Sequence, residues 1–277
     1  GKGGTGKTTI ATSLAMLLYR AGEEVVYLDC DVEEPNGHIF LRPDILGREV
    51  VFMPVPVVDQ DECISCRKCE EICQYNAIVC MGNKTLVFQE LCHACGGCVL
   101  VCPEGAITET TREIGIVEDG HAGTLKFAHG KLKIGEALAP PLVRSVKKRA
   151  LAEGITIMDA PPGTTCPVVE TIKDANLVIL VTEPTPFGLN DLKLAVDMAK
   201  QIGVKIAVLI NRCDIGDNET VKYCKQKRIE VLAEIPNSRE VAVAYSTGKL
   251  PIDAVPGYSD HLEPLVERLM GGKKCES

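Results

Sequence analysis

The sequence predicts an α/β protein: a mostly parallel sheet with helices on both faces, interrupted by a small α+β insert. Three observations carry this reading. A glycine loop runs straight into a helical apolar pattern near residue 8. The short apolar segments "EVVYLDCD", "ITIMDAPPG", "NLVILVTEP" and "KIAVLINRCD" each end in acidic, Pro/Gly or other polar residues. Between the first and second of them, cysteines crowd into two tight runs. Apolar strands alternating with helices imply a parallel sheet buried on both faces. Ligands on such sheets bind at the C-terminal ends of the strands, where the polar residues here collect.

In chain order, Gly1 to Thr8 fits G-x-x-x-x-G-K-S/T. Glycines at such a loop let consecutive backbone N–H groups curl around phosphate oxygens. Gly3, Gly4, Thr5 and Gly6 form the cradle, and Lys7, Thr8 and Thr9 open the helix behind it. Lys7 supplies a point charge for the outer phosphates, the Thr8 hydroxyl suits Mg²⁺, and the helix dipole favours the same anion. Residues 8–21 place Ile10, Leu14, Leu17, Leu18 and Ala21 at helical spacing, and Gly22 can end that helix. The sequence begins inside the motif, so the strand that leads into such a loop is expected ahead of Gly1. Farther along, "LNDLKLAVDMAKQIG" reads as an amphipathic helix, and residues 115–135 read as short strands and turns.

The bulk numbers exclude several classes. The chain has 277 residues, 45% of them hydrophobic, with a formal net charge of −8. An acidic chain is a poor partner for a nucleic-acid backbone or an anionic membrane. No apolar run approaches the roughly 20 residues of a membrane-spanning helix. The stretch "HLEPLVERLMGGKKCES" fits a short helix whose apolar face is broken by Glu263, Glu267 and Arg268, a weak membrane anchor. Membrane insertion and nucleic-acid binding are therefore not expected.

Eight of the 14 cysteines form the two runs; the other six, Cys30, Cys80, Cys166, Cys213, Cys224 and Cys275, are scattered. Clustering beside a nucleotide loop indicates metal in a reducing compartment, hence the cytoplasm, rather than disulfides. Cys63-x-x-Cys66-x-x-Cys69-x-x-x-Cys73 recurs as Cys92-x-x-Cys95-x-x-Cys98-x-x-x-Cys102, and "NAI" at Asn76–Ile78 is echoed by "GAI" at Gly105–Ile107. This is the spacing of bacterial ferredoxins with two 4Fe–4S clusters, in which the fourth cysteine of each run ligates the other cluster. It assigns Cys63, Cys66, Cys69 and Cys102 to one cluster and Cys92, Cys95, Cys98 and Cys73 to the other. The first run ends in Cys73-Gln74 rather than Cys-Pro, which removes no ligand. Zinc is the competing reading; it favours paired Cys-x-x-Cys units separated by a longer loop. His93 lies within the second run as a spectator. The insert is bounded at 57–108, between halves 1–56 and 109–277 of the larger domain.

Lys2 gives the loop a second lysine, and here the sequence resembles the MinD/ParA-type ATPases, whose loop reads K-G-G-x-G-K-T. With the insert, it resembles the members of that superfamily that carry a ferredoxin domain. The resemblance covers nearly all of the chain outside the insert. It implies a slow ATPase that dimerises on ATP, with itself or with a similar subunit, with Lys2 reaching the partner's nucleotide. By the same resemblance Asp29 and Asp159 support Mg²⁺ and Asp31 positions the attacking water. Gly163 would sense the γ-phosphate, Asn211 would contact adenine, and the loop around Pro236 would pack near the base. Cys166 stands seven residues beyond Asp159, where a distant relative ligates a shared cluster. That arrangement needs a second cysteine between Thr108 and Asp159, and the sequence has none there, so a plain loop thiol is expected.

Three functions compete on these grounds. The first is an ATP-gated electron carrier that meets a redox protein. The second is a cluster assembly or delivery factor, against which eight fully committed cysteines weigh. The third is a positioning or partitioning ATPase, disfavoured by the acidic charge.

Overall fold

The computed structural model describes residues 3–271; Lys2 and Cys275 lie outside the described residues. Helix α1 (Lys7–Arg20) follows the glycine loop and leads to β1 (Val25–Asp29), whose five residues are all buried. After the short helix α2 (Gly37–Leu41) come two long strands, β2 (Asp44–Val58) and β5 (Ile107–Ala122). They enclose α3 (Lys68–Ile72), the hairpin β3 (Ile78–Met81) and β4 (Lys84–Val87), and α4 (Gly97–Val101). Then follow β6 (Leu125–Leu132), α5 (Pro140–Lys147), β7 (Ile155–Asp159), α6 (Cys166–Ile172), β8 (Val178–Thr182), α7 (Pro186–Ile202) and β9 (Ile206–Asn211). The last elements are α8 (Glu219–Lys227), β10 (Val231–Ile235), α9 (Arg239–Ser246), α10 (Pro251–Ala254) and α11 (Glu263–Gly271).

The sheet runs β2-β5-β6-β1-β7, and a second set of strands runs β10-β9-β8. Strands β6, β1 and β7 are parallel, as are β8, β9 and β10. One face packs on α1 through Ile10, Leu14, Leu18, Tyr27 and Phe127. The other packs on α5 through Val26, Leu28, Leu142, Val143 and Val146. This is the mostly parallel, doubly covered sheet that the apolar strands predict.

Residues 115–135 form strands and a turn, as expected, but the strands are longer than the short ones anticipated. Strands β5 and β6 form one hairpin, with Gly123 at the turn at φ +65°. Glycines mask the strand pattern there: a Cβ on Gly115 or Gly130 would lie 2.5 or 2.6 Å from a neighbour, so close packing excludes any side chain. Polar residues mask it as well, because Glu118 is satisfied by His129 and Lys131 across the hairpin. Strand β2 tolerates Pro54 and Pro56 because it is the edge strand, where a missing N–H breaks no ladder. Its residues Val51, Met53 and Val55 face the core while Phe52 and Pro54 face out. The β2–β5 ladder continues to Val57↔Thr108 and Val58↔Ile107, so the cysteine-rich segment is entered and left through paired strands. That segment has a small apolar centre of its own, made by Cys69, Ile78, Cys80 and Ile107.

Candidate functional site

Gly4 and Gly6 of the loop adopt φ of +82° and +90°, left-handed values that side chains resist. Helix α1 starts at once at Lys7, so its first N–H groups have no intrahelical partner and open toward the loop. Asn211, at the end of β9, braces this turn. Its Nδ2 donates to the Thr5 carbonyl at 2.9 Å, and its Oδ1 accepts from the Arg212 N–H at 3.0 Å. A Cβ on Gly6 would lie 2.6 Å from that Nδ2, so a side chain there would displace the brace as well as strain φ. The brace to Thr5 is a long-range contact that spacing does not foretell, and it stands beside the base contact expected of Asn211. Thr9 is buried in the first turn of α1.

Asp29 and Asp159 are register partners at the ends of β1 and β7 and are 0% and 3% exposed. Asp29 Oδ2 accepts from the Asn36 and Gly37 N–H groups, and its Oδ1 accepts from that of Asp31. Asp159 Oδ2 accepts from the Tyr27 hydroxyl at 2.9 Å, and the Thr8 hydroxyl also bonds Asp159. Burial pushes both carboxyl groups well above the usual carboxylate range, and the charge of Asp159 adds to the effect at Asp29. Burial also lowers Lys7, against the opposing pull of Asp159 and Asp31. Asp31 is half-buried and pushed up to about 6, chiefly by burial. A hard divalent cation that takes one or two carboxylates, a hydroxyl and phosphate oxygens fits this donor set.

The remaining nucleotide candidates sit on loops at the same strand ends. Gly163, after β7, is exposed at φ +91°, and a Cβ there would meet nothing within 4 Å, so its glycine answers to backbone conformation alone. Pro236 is exposed at the end of β10. Its loop is tied to that of Asn211 by Asn237 N–H donating to Asp214 Oδ1 at 2.6 Å and by Cys213 N–H donating to the Ile235 carbonyl. Cys166 is exposed at the first position of α6.

The cysteines gather around two cavities. Cys63, Cys66, Cys69 and Cys102 line one, and Cys73, Cys92, Cys95 and Cys98 line the other. Each cavity thus takes its fourth cysteine from the opposite run. The backbone repeats with the sequence: Ser65 and Ala94, Arg67 and Gly96, and Asn76 and Gly105 all take positive φ at matching positions. Main-chain donors repeat too, with Ser65 N–H directed at Cys63 Sγ and Ala94 N–H at Cys92 Sγ. Burial pushes the Cys69 thiol up to about 12, so a thiolate there needs a metal's compensating charge. Among the described residues no three His, Cys, Asp or Glu side chains converge on a single metal ion. A multi-iron cluster spreads its cysteine ligands around a larger body than one ion. Sequence reasoning missed Cys80 and Thr85, which both line the first cavity. The repeat gives no cue to Cys80, because it sets Glu109 at the matching position. His93 lines the second cavity, with its ring stacked on Tyr75 at 3.5 Å.

A glycine cradle at the head of a helix, set against buried acids at the ends of parallel strands, defines a P-loop nucleotide-binding protein. The sequence matches the CobQ/CobB/MinD/ParA nucleotide binding domain over residues 1–252, and the chain belongs to that family. It is 30% identical over 273 residues to an uncharacterized protein of Methanocaldococcus jannaschii, covering 97% of this chain and 94% of the relative. Over 107 residues it is 32% identical to a ferredoxin of Pyrobaculum islandicum, covering 38% of this chain and 90% of the ferredoxin. The fold is similar to the septum site-determining protein MinD of Pyrococcus horikoshii, solved with Mg-ADP. The TM-score is 0.61 at 18% identity, over 100% of this chain and 96% of that one. Among the described residues no helix is long and apolar enough to cross a membrane.

Proposed function

We propose that this chain is an ATP-dependent dimeric switch that governs electron transfer through two 4Fe–4S clusters held by the cysteine-rich segment 57–108. The observation that carries the proposal is the crossed grouping of the repeat's cysteines, four of its eight around each cavity. A ferredoxin's likeness to 38% of the chain supports it. The clusters would supply one-electron chemistry at low potential. Four cysteines for each cavity favour clusters built to stay over clusters in transit.

On the nucleotide side, the loop amides and Lys7 hold the phosphates of ATP. Thr8, Asp29 and Asp159 surround the Mg²⁺ position, and Asp31 orients water. Gly163 gives the loop after β7 the freedom to approach the γ-phosphate. Lys2 is assigned to the partner's nucleotide, and the Asn211 and Pro236 loops to the base. Positioning supplies most of the catalysis in phosphoryl transfer, so turnover is slow until a partner completes the site. The two sites are connected through the chain: the Gly37 N–H on Asp29 opens α2, and α2 leads directly into β2, which delivers Pro54 and Pro56 to the wall of the second cavity.

The test is anaerobic reconstitution followed by redox titration with EPR, with and without MgATP. Two 4Fe–4S clusters whose potentials or spectra respond to nucleotide are expected. A chain that takes up one zinc per cysteine run and no iron–sulfur cluster would sink the reading. On the nucleotide side, Asp31→Ala should keep ATP binding and stop turnover.

A further inference from the structure

The two cavities share their cysteine pattern and backbone, but not the side chains that complete their walls. The offset that carries Cys63 onto Cys92 and Ser65 onto Ala94 carries Cys80 onto Glu109. Cys80 lines the first cavity and Glu109 the second. The repeat therefore sets a thiol at one cavity where it sets a carboxylate at the other.

The first cavity is also a built hydrogen-bonding site. Thr85 Oγ1 lies 3.3 Å from Cys63 Sγ and 3.4 Å from Cys80 Sγ. Thr85 is 2% exposed and Cys80 5%. When Cys63 is a thiolate it can only accept, so the Thr85 hydroxyl donates to it and the Cys80 thiol donates to Thr85. Thr85 is held in place by Gln60, whose Nε2 donates to the Thr85 carbonyl at 2.8 Å and whose Oε1 accepts from the Thr85 N–H at 3.2 Å. The charges at this cavity, Arg67 and Glu104, are of opposite sign. At the second cavity Glu109 faces no Lys or Arg among the described lining residues.

Hydrogen bonds to ligand sulfur and positive surroundings favour the reduced state of an iron–sulfur cluster, and a nearby carboxylate opposes it. We infer that Thr85 and Cys80 make the Cys63 cavity the electron-accepting site of the pair, while Glu109 holds the Cys92 cavity at lower potential. This rests on the iron–sulfur reading above. One electron from an external one-electron reductant comes to rest at the Cys63 cavity; no covalent bond is made or broken and no proton moves. The second cavity adjoins the core of the nucleotide domain, where Ala77 and Cys92 pack with Met53 and Val55, and the first has its own apolar centre. The gradient thus runs outward, from the nucleotide domain to the far cavity.

The experiment is a dithionite titration of the anaerobically reconstituted full chain, followed by EPR. Wild type should show two separate midpoints. Thr85→Val should lower the higher midpoint and leave the other in place, Thr85→Ser should restore it, and Cys80→Ala should lower the same midpoint by less. Glu109→Gln, at an exposed position that tolerates substitution, should raise the lower midpoint alone. Two loaded clusters with a single midpoint would overturn this inference and leave the iron–sulfur reading standing. So would Thr85→Val and Glu109→Gln acting on the same signal, or Thr85→Val acting on neither. Failure of the wild-type chain to hold two clusters would overturn both.

Discussion

Asp29 and Asp159 lie side by side at the ends of β1 and β7, both buried, with the Tyr27 hydroxyl bonded to Asp159 and three backbone N–H groups bonded to Asp29. Two carboxyl groups in one buried register pair disfavour joint ionisation. The fold accepts this cost where the proposed function needs a divalent cation.

Asp159→Asn removes that conflict while keeping an acceptor for Tyr27. The metal-free protein is expected to gain about 1 kcal/mol, or ~2–4 °C in Tm. The extra stabilisation that Mg²⁺ with nucleotide confers on the wild type should be lost. Thermal melts with and without MgATP read both effects, and a variant that melts lower in the absence of metal would contradict the account of the acid pair.

Asn211→Ala leaves the Thr5 carbonyl without its side-chain donor. Loss of one such bond costs about 1 kcal/mol, so nucleotide affinity should fall roughly five- to tenfold. The brace acts on the loop, so ATP and GTP should weaken together. Titration calorimetry with both nucleotides checks this, and a loss confined to ATP would make the base contact the principal role of Asn211.

Glu118 is held down to about 2, from an ordinary 4.5, by Lys131 and then His129. A carboxyl depressed in the folded state stabilises above its unfolded value, and that stability is lost as pH falls from about 4.5 toward 2. His129, 1% exposed, is lowered from 6.5 chiefly by burial, so acid below about 6.5 also favours the unfolded chain, which takes up the proton more readily. Urea midpoints should therefore drop in two stages on acidification. Glu118→Gln should abolish the lower stage and keep the upper one.

Crossed ligation makes a prediction of its own. Cys102→Ser should damage the same cluster as Cys66→Ser, and Cys73→Ser the same one as Cys95→Ser, because those pairs line common cavities. The EPR spectra of the four reconstituted variants should fall into these two classes. Grouping by sequence run, with Cys73→Ser matching Cys66→Ser, would refute the crossing.

The sequence by itself determined what depends on short spacing. A glycine loop that needs positive φ at Gly4 and Gly6 and hands over at once to a helix is local physics. So is the apolar run that becomes β1 and the repeat that returns as matching positive φ at Ser65 and Ala94. The tertiary structure decided which distant polar groups meet. Asn211 reaches Thr5, Tyr27 reaches Asp159, Glu118 lies opposite His129, and Gln60 aims Thr85 at Cys63. The strands of the β5–β6 hairpin were legible, but their length and pairing were not, since polar residues such as Glu118 are satisfied only by the partner strand. Local spacing sets the conformations open to each segment. Register and burial set the neighbours of every polar atom, and those neighbours tell the Cys63 cavity from the Cys92 cavity.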